Sequence, residues 1–159
     1  MSVVSRGRGY GSEFTVRLPA LVARAEPEPG AVGPADSSAA PRRRVLIVED
    51  NADAREGLRM LLTLAGHEVE TSEDAADGLE KLRTFQPEVA LIDIGLPGVD
   101  GYALARMARQ TTETRATYLV ALTGYGQAED RQKALAAGFD THMTKPVDPA
   151  QLCAFLTER

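Results

Sequence analysis

Residues 44–159 are predicted to form an α/β fold, a flavodoxin-like doubly wound parallel sheet of five strands with helices on both faces. Three observations predict it. Aliphatic runs without polar alternation, Val45-Leu46-Ile47-Val48, Val89-Ala90-Leu91-Ile92 and Tyr118-Leu119-Val120-Ala121-Leu122, have the pattern of strands covered on both faces. Between them, apolar residues recur at the three- and four-residue spacing of a helix with one buried stripe. The strand-then-helix unit repeats five times with short connections, which implies parallel strands joined by crossover helices. The order expected for such a sheet is 2-1-3-4-5.

The elements follow in sequence. After the first aliphatic run, Leu58, Leu61, Leu62 and Ala65 mark one face of a helix that Gly66 ends. A strand near His67–Thr71 precedes a helix over about 74–84, with Ala75, Leu79 and Leu82 inward. After the second run, Pro97 and Gly98 shape a turn, and a helix begins at about Gly101 with Asp100 as its cap and Leu104, Ala105 and Ala108 on one face. The third run leads to a helix over about 128–137 closed by Gly138, then to a short strand over Phe139–Met143. The last helix takes Asp148 as cap and Pro149 in its first turn, and buries Leu152, Phe155 and Leu156.

Upstream the composition changes. Residues 20–43 hold Pro27, Pro29, Pro34 and Pro41 among small and polar residues, too few large apolar groups to offset the entropy of ordering, and read as a flexible linker. In residues 1–19, Phe14, Val16 and Leu18 alternate with Thr15 and Arg17 in the period of a strand. This N-terminal segment, lacking a partner strand, is expected to be largely unstructured.

Charge and composition narrow the function. Residues 1–43 carry six basic and four acidic residues, whereas residues 44–159 carry twelve and nineteen, so the main domain holds an excess of seven negative charges. Such a surface argues against direct binding to a nucleic-acid backbone and suits divalent cations or a basic protein face. The single cysteine, Cys153, excludes an internal disulfide and reads as a packing residue. No apolar run is long enough to span a bilayer, nor is there the apolar core of a signal peptide, so no membrane contact and a cytoplasmic location are expected.

Ligands of an open parallel sheet bind beyond the carboxyl ends of its strands. Here the first strand ends in Glu49-Asp50, the third in Asp93, the fourth in Thr123 and the fifth in Lys145. Three carboxylates packed together repel unless a cation sits among them, and oxygen ligands suit Mg²⁺. One carboxylate can then act as nucleophile and form an aspartyl phosphate, while Lys145 and Mg²⁺ neutralise the phosphoryl oxygens. The Thr123 hydroxyl could donate to one of those oxygens, with Gly124 leaving the approach uncrowded. Each residue alone has a plainer reading: Glu49-Asp50 as a solvated loop start, Asp100 as a cap, Arg42-Arg43-Arg44 as a solubilising linker end, and His67 as a surface residue. The coincidence of four strand ends favours function.

Val48-Glu49-Asp50-Asn51, Asp93-Ile94-Gly95-Leu96-Pro97-Gly98-Val99-Asp100-Gly101, Leu122-Thr123-Gly124 and Lys145-Pro146 stand in the order and spacing of response-regulator receiver domains, which residues 44–159 resemble. The resemblance implies that Asp93 is the phosphoacceptor, in a two-component phosphorelay. It implies Asp50 as a direct Mg²⁺ ligand, Glu49 as an acidic neighbour acting through water, and the Gly95 backbone carbonyl as the third protein ligand. Thr123 matches the switch hydroxyl and Lys145 the phosphate-contacting lysine, with the Lys145–Pro146 peptide cis and the lysine turned back into the site. The family usually has Tyr or Phe three residues before the lysine, where this chain has His142. That departure leaves the phosphoacceptor chemistry intact and puts the usual aromatic switch in question. Tyr125 is expected to flank the site mouth.

Residues 5–19, with Gly7, Gly9, Gly11, Ser12, Phe14, Val16, Leu18 and Pro19, are similar to the last hairpin of histidine-kinase ATP-binding domains. Together the two resemblances imply the end of a hybrid histidine kinase: kinase remnant over 1–19, linker over 20–43 and receiver over 44–159. The implied partners are a histidine kinase or a histidine phosphotransfer protein, with a phosphorylation-dependent homodimer also compatible. The domain would catalyse its own aspartyl phosphorylation without being a turnover enzyme. Two other classes compete. A haloacid-dehalogenase-type phosphatase needs a second Asp where Gly95 stands. A phosphorylation-independent receiver-like scaffold is favoured only by His142.

Overall fold

The computed structural model describes residues 2–5, 12–15, 42–124 and 128–158. The chain divides into two units, Met1–Ser37 and Ser38–Arg159. In the first, β1 (Ser2–Ser5) and β2 (Ser12–Thr15) pair antiparallel, with Val3 opposite Phe14 and Val4 opposite Glu13. The alternation that begins at Phe14 thus falls partly in a strand, and that strand has the partner that the sequence pattern did not supply. Val16 to Pro19 and residues 20–41 of the linker expected over 20–43 lie outside the described residues.

The second unit alternates without exception: β3 (Arg44–Val48), α1 (Ala52–Leu64), β4 (Glu68–Ser72), α2 (Ala75–Thr84), β5 (Val89–Asp93), α3 (Gly101–Gln110), β6 (Tyr118–Thr123), α4 (Ala128–Ala137), β7 (Thr141–Thr144) and α5 (Pro149–Glu158). All five strands are parallel, in the spatial order β4-β3-β5-β6-β7, which is the expected 2-1-3-4-5. The order reverses between β3 and β5, so the crevice at the switch point opens beyond Val48 and Asp93.

Side-chain alternation along the strands divides the core in two. Leu46, Val48, Ala90, Ile92, Leu119 and Ala121 face one side and pack with Leu82 of α2, Leu104 of α3 and Ala134 of α4. Val45, Ile47, Leu91, Val120 and Leu122 face the other and pack with Leu62 of α1 and with Leu152 and Leu156 of α5. A strand buried on both faces has no polar position to spare, which is why β3 and β5 read as unbroken aliphatic runs.

Helix ends are fixed by the chemistry expected of them. Asp74, Asp100 and Asp148 accept hydrogen bonds from the backbone amides of Ala76, Ala103 and Ala150 at 2.7–2.8 Å. Gly66, at φ +92°, turns the chain out of α1 through a conformation that costs a side-chain-bearing residue energy. The last strand begins two residues later and ends one residue later than expected. Phe139 precedes it and is buried, its ring edge-on to Tyr102 at 6.3 Å, so its apolar character serves a helix contact. Among the described residues no helix is long and apolar enough to cross a membrane.

Two readings of single residues are corrected. His67 is 6% exposed, not a surface residue, and its Nδ1 accepts the backbone N–H of Arg43 at 3.3 Å. Arg43 is not a free linker end. Its Nε donates to the Leu156 carbonyl at 2.8 Å and its Nη1 meets Glu88 at 3.0 Å, clasping α5 to the start of the sheet. Burial, with the Arg43 charge adding to it, holds the His67 pKa below its usual value against the opposing pull of Glu88. A depressed histidine favours the neutral form in the fold, so its contribution to stability is present above about pH 6.5 and is lost as the pH falls below that value. Urea unfolding between about pH 7.5 and 5.5 should show stability falling with pH in the native chain and falling less in His67→Gln.

Candidate functional site

Four strand ends meet at the switch-point crevice. β3 delivers Glu49, whose backbone N–H continues the sheet by donating to the Ser72 carbonyl at 3.0 Å, and then Asp50. β5 ends on Asp93, whose register partner in β6 is Leu122, so Thr123 lies one residue further along the neighbouring strand. The Lys145 backbone N–H donates to the Thr123 carbonyl at 2.7 Å and so extends the β6–β7 pairing to the lysine. The Lys145–Pro146 peptide is cis.

Lys145 spans the two adjacent strands. Its Nζ lies 2.5 Å from Glu49 Oε2 and 2.9 Å from Asp93 Oδ2. Glu49 and Asp93 are buried while Asp50 is exposed, and the three carboxylates offer oxygens within 4.8 Å of one another. Burial alone would lower the Lys145 pKa, but the Glu49 and Asp93 contacts outweigh it and hold the ammonium above its ordinary range. Three carboxylates and one ammonium leave two negative charges, which one divalent cation would neutralise. The oxygen-only donor set, with Asp50 open to water, fits Mg²⁺ better than a softer metal.

Backbone packing holds the nucleophile candidate in place. Asp93 Oδ1 accepts the Gly95 N–H at 3.1 Å. A Cβ on Gly101 would stand 2.3 Å from the Asp93 carbonyl oxygen, so only glycine allows α3 to begin against the end of β5. The Thr123 Oγ1 is fully buried and has no hydrogen-bond partner among the described residues. A buried hydroxyl without a partner is costly and invites an acceptor.

The crevice therefore brings together Glu49, Asp50, Asp93, Thr123 and Lys145, and places Gly95 against Asp93. His142 is opposite Ala121 in the β6–β7 pairing, two positions before Thr123, and half-buried. Tyr125 lies outside the described residues. Arg55 of α1 is the neighbour that the motifs did not single out. Its Nη1 donates to the carbonyls of Glu49 at 2.6 Å and Asp50 at 3.2 Å. A signal for it exists in the sequence: a cation close to the start of a helix, where the macrodipole disfavours positive charge, needs another reason to be there. Beside the acids, an apolar cleft of about 360 Å³ opens between Ala54, Leu58 and Leu61 of α1 and Pro146, Val147 and Pro149.

Comparison with known proteins agrees with this geometry. The response regulator receiver domain family matches residues 45–157. The transcriptional regulatory protein PhoP of Escherichia coli K12 is 38% identical over 103 residues, which are 65% of this chain and 45% of PhoP. The chain thus spans less than half the length of that relative. The receiver domain of the sensor histidine kinase PA1611 of Pseudomonas aeruginosa, solved with magnesium in its active-site cleft, superposes with a TM-score of 0.68 at 27% identity, over 74% of this chain and 97% of that one. The receiver domain of Ssk1 of Saccharomyces cerevisiae, solved with the histidine phosphotransfer protein Ypd1, gives 0.68 at 25% identity, over 74% and 88%.

The unpartnered hydroxyl supplies a stability test of the site. Thr123→Val keeps the shape and removes the unsatisfied group, so it should raise the unfolding free energy by about 1 kcal/mol, read from urea midpoints without Mg²⁺. A drop of similar size would mean that the hydroxyl is satisfied within the fold.

Proposed function

The chain belongs to the response regulator receiver family, and on that premise we propose that it accepts a phosphoryl group on Asp93 from a phosphohistidine donor, with Mg²⁺ bound by Asp50, Asp93 and the Gly95 carbonyl and with Glu49 acting beside them. The observation that carries the reading is the Lys145 ammonium held between Glu49 and Asp93 at the switch point. Receiver domains work with histidine kinases or histidine phosphotransfer proteins, and we take one of these as the donor.

The reaction asks little covalent chemistry of the protein. An Asp93 carboxylate oxygen attacks phosphorus as the P–N bond to the donor imidazole breaks, and the electron pair of that bond leaves with the imidazole nitrogen. Bound Mg²⁺ would supply charge neutralisation on the phosphoryl oxygens. Lys145 remains an ammonium throughout, because the neighbouring acids raise its pKa. It can move from its carboxylate partners to a phosphoryl oxygen without losing a counter-charge. Thr123 then offers its free hydroxyl proton to another phosphoryl oxygen, which satisfies the buried Oγ1. Gly95 lies beside the Asp93 carboxylate, where a Cβ would make an ordinary contact at 3.5 Å.

Phosphorylation would therefore change what Lys145 and Thr123 bind; Thr123 ends β6 and Lys145 directly follows β7. His142, on the same strand pair, takes the place of the family's usual switch ring. The apolar cleft between α1 and the segment after Lys145, lined also by Glu49 and Lys145, offers a partner an apolar foothold.

Incubation with acetyl phosphate, followed by intact-mass measurement, tests the reading. The native chain should gain one phosphoryl group only when Mg²⁺ is present, and Asp93→Asn should gain none. A gain in Asp93→Asn equal to native, or a gain independent of Mg²⁺, would refute it.

A further inference from the structure

We propose that Arg55 is a positioning residue for cation binding: by holding the carbonyls of Glu49 and Asp50 it fixes the acidic turn in the shape that receives Mg²⁺. The inference rests on the reading of Glu49 and Asp50 as cation-facing acids and adds a residue to it.

The turn after β3 has to do two things at once. It must send the buried Glu49 side chain toward Lys145 and the next side chain, Asp50, out to the mouth. Consecutive peptide planes set those directions, and a hydrogen bond to the N–H or C=O of a plane restrains its rotation. The Asn51 N–H, on the plane of the Asp50 carbonyl, donates to Glu49 Oε1 at 3.4 Å. The Glu49 N–H is held by the Ser72 carbonyl of β4 at 3.0 Å. The carbonyl of Glu49 and the carbonyl of Asp50 are held by one guanidinium nitrogen, Nη1 of Arg55. Arg55 is itself anchored, since its backbone N–H donates to the Asn51 carbonyl at 2.9 Å and its Nη2 lies 3.7 Å from Glu73. Its bond to the Glu49 carbonyl is part-buried, whereas the Asp50 bond and the Glu73 carboxylate lie at the surface. The guanidinium contacts backbone oxygens of the turn and leaves the carboxylates to the cation.

A positive charge beside a cation site also repels the incoming ion, so the two effects of Arg55 oppose each other. Positioning prevails if removing Arg55 weakens binding, and repulsion prevails if it strengthens binding. A lysine keeps the charge and can reach a carbonyl, but it lacks the planar fork that also meets Glu73.

Titration calorimetry with MgCl₂ alone on the native chain, Arg55→Met and Arg55→Lys decides between them, with urea midpoints measured in parallel. The expected result is an affinity about tenfold weaker in Arg55→Met, with Arg55→Lys falling between that variant and native. A purely structural role would lower the urea midpoint while leaving the affinity of the folded protein unchanged. Affinity in Arg55→Met equal to or tighter than native overturns the inference. Should that variant not fold, Arg55→Lys carries the test, and an affinity equal to native overturns it. Absence of Mg²⁺ binding by the native chain itself would instead overturn the metal reading, and the inference with it.

Discussion

Glu49 and Asp93 end adjacent parallel strands, and both are buried at the point where the strand order reverses. Two carboxylates in that position destabilise the ends of the strands that carry them unless a cation stands between. Lys145 stands there, brought by the last strand, and its ammonium couples β3 and β5 to the far edge of the sheet. The rest of the arrangement depends on that contact. It preserves a compact acidic crevice, leaves a net charge that suits a divalent ion, and keeps a mobile counter-charge within reach of the nucleophile candidate.

The same economy explains the tight backbone packing around Asp93. α3 can start directly against the end of β5 because Gly101 has no side chain, and the Gly95 N–H orients one oxygen of the carboxylate. Thr123 keeps a buried hydroxyl without a partner among the described residues, an arrangement that stability alone would not favour. Sites that must bind something transient carry such unsatisfied groups, and the surrounding core of aliphatic strands supports the cost.

Where the sequence was legible, the signal was local. Val45–Val48 and Val89–Ile92 could hardly be other than strands buried on both faces, and Asp100 and Asp148 announced the helices that they cap. The acidic site was legible because the fold places strand ends together, so Glu49, Asp50, Asp93, Thr123 and Lys145 could be assigned to one rim from the sequence. What escaped was decided by contacts distant in sequence. His67 is buried because Arg43 and Glu88 come from other parts of the chain, and the short last strand starts at Thr141 because Phe139 is taken up by Tyr102. The pairing of Ser2–Ser5 with Ser12–Thr15 left no aliphatic run to reveal it. Arg55 left only the faint signal of a cation near a helix start, because its partners are backbone carbonyls, which no motif encodes.

The account turns on Asp93 being the atom-accepting residue among three neighbouring carboxylates. Chemical trapping of the acyl phosphate tests this most directly: the chain is phosphorylated with acetyl phosphate and Mg²⁺, reduced with borohydride, and digested for peptide mass mapping. Reduction converts a phosphorylated aspartate to homoserine, and the account predicts homoserine at position 93 alone. Homoserine at position 50, or its glutamate counterpart at position 49, with Asp93 unaltered would contradict it.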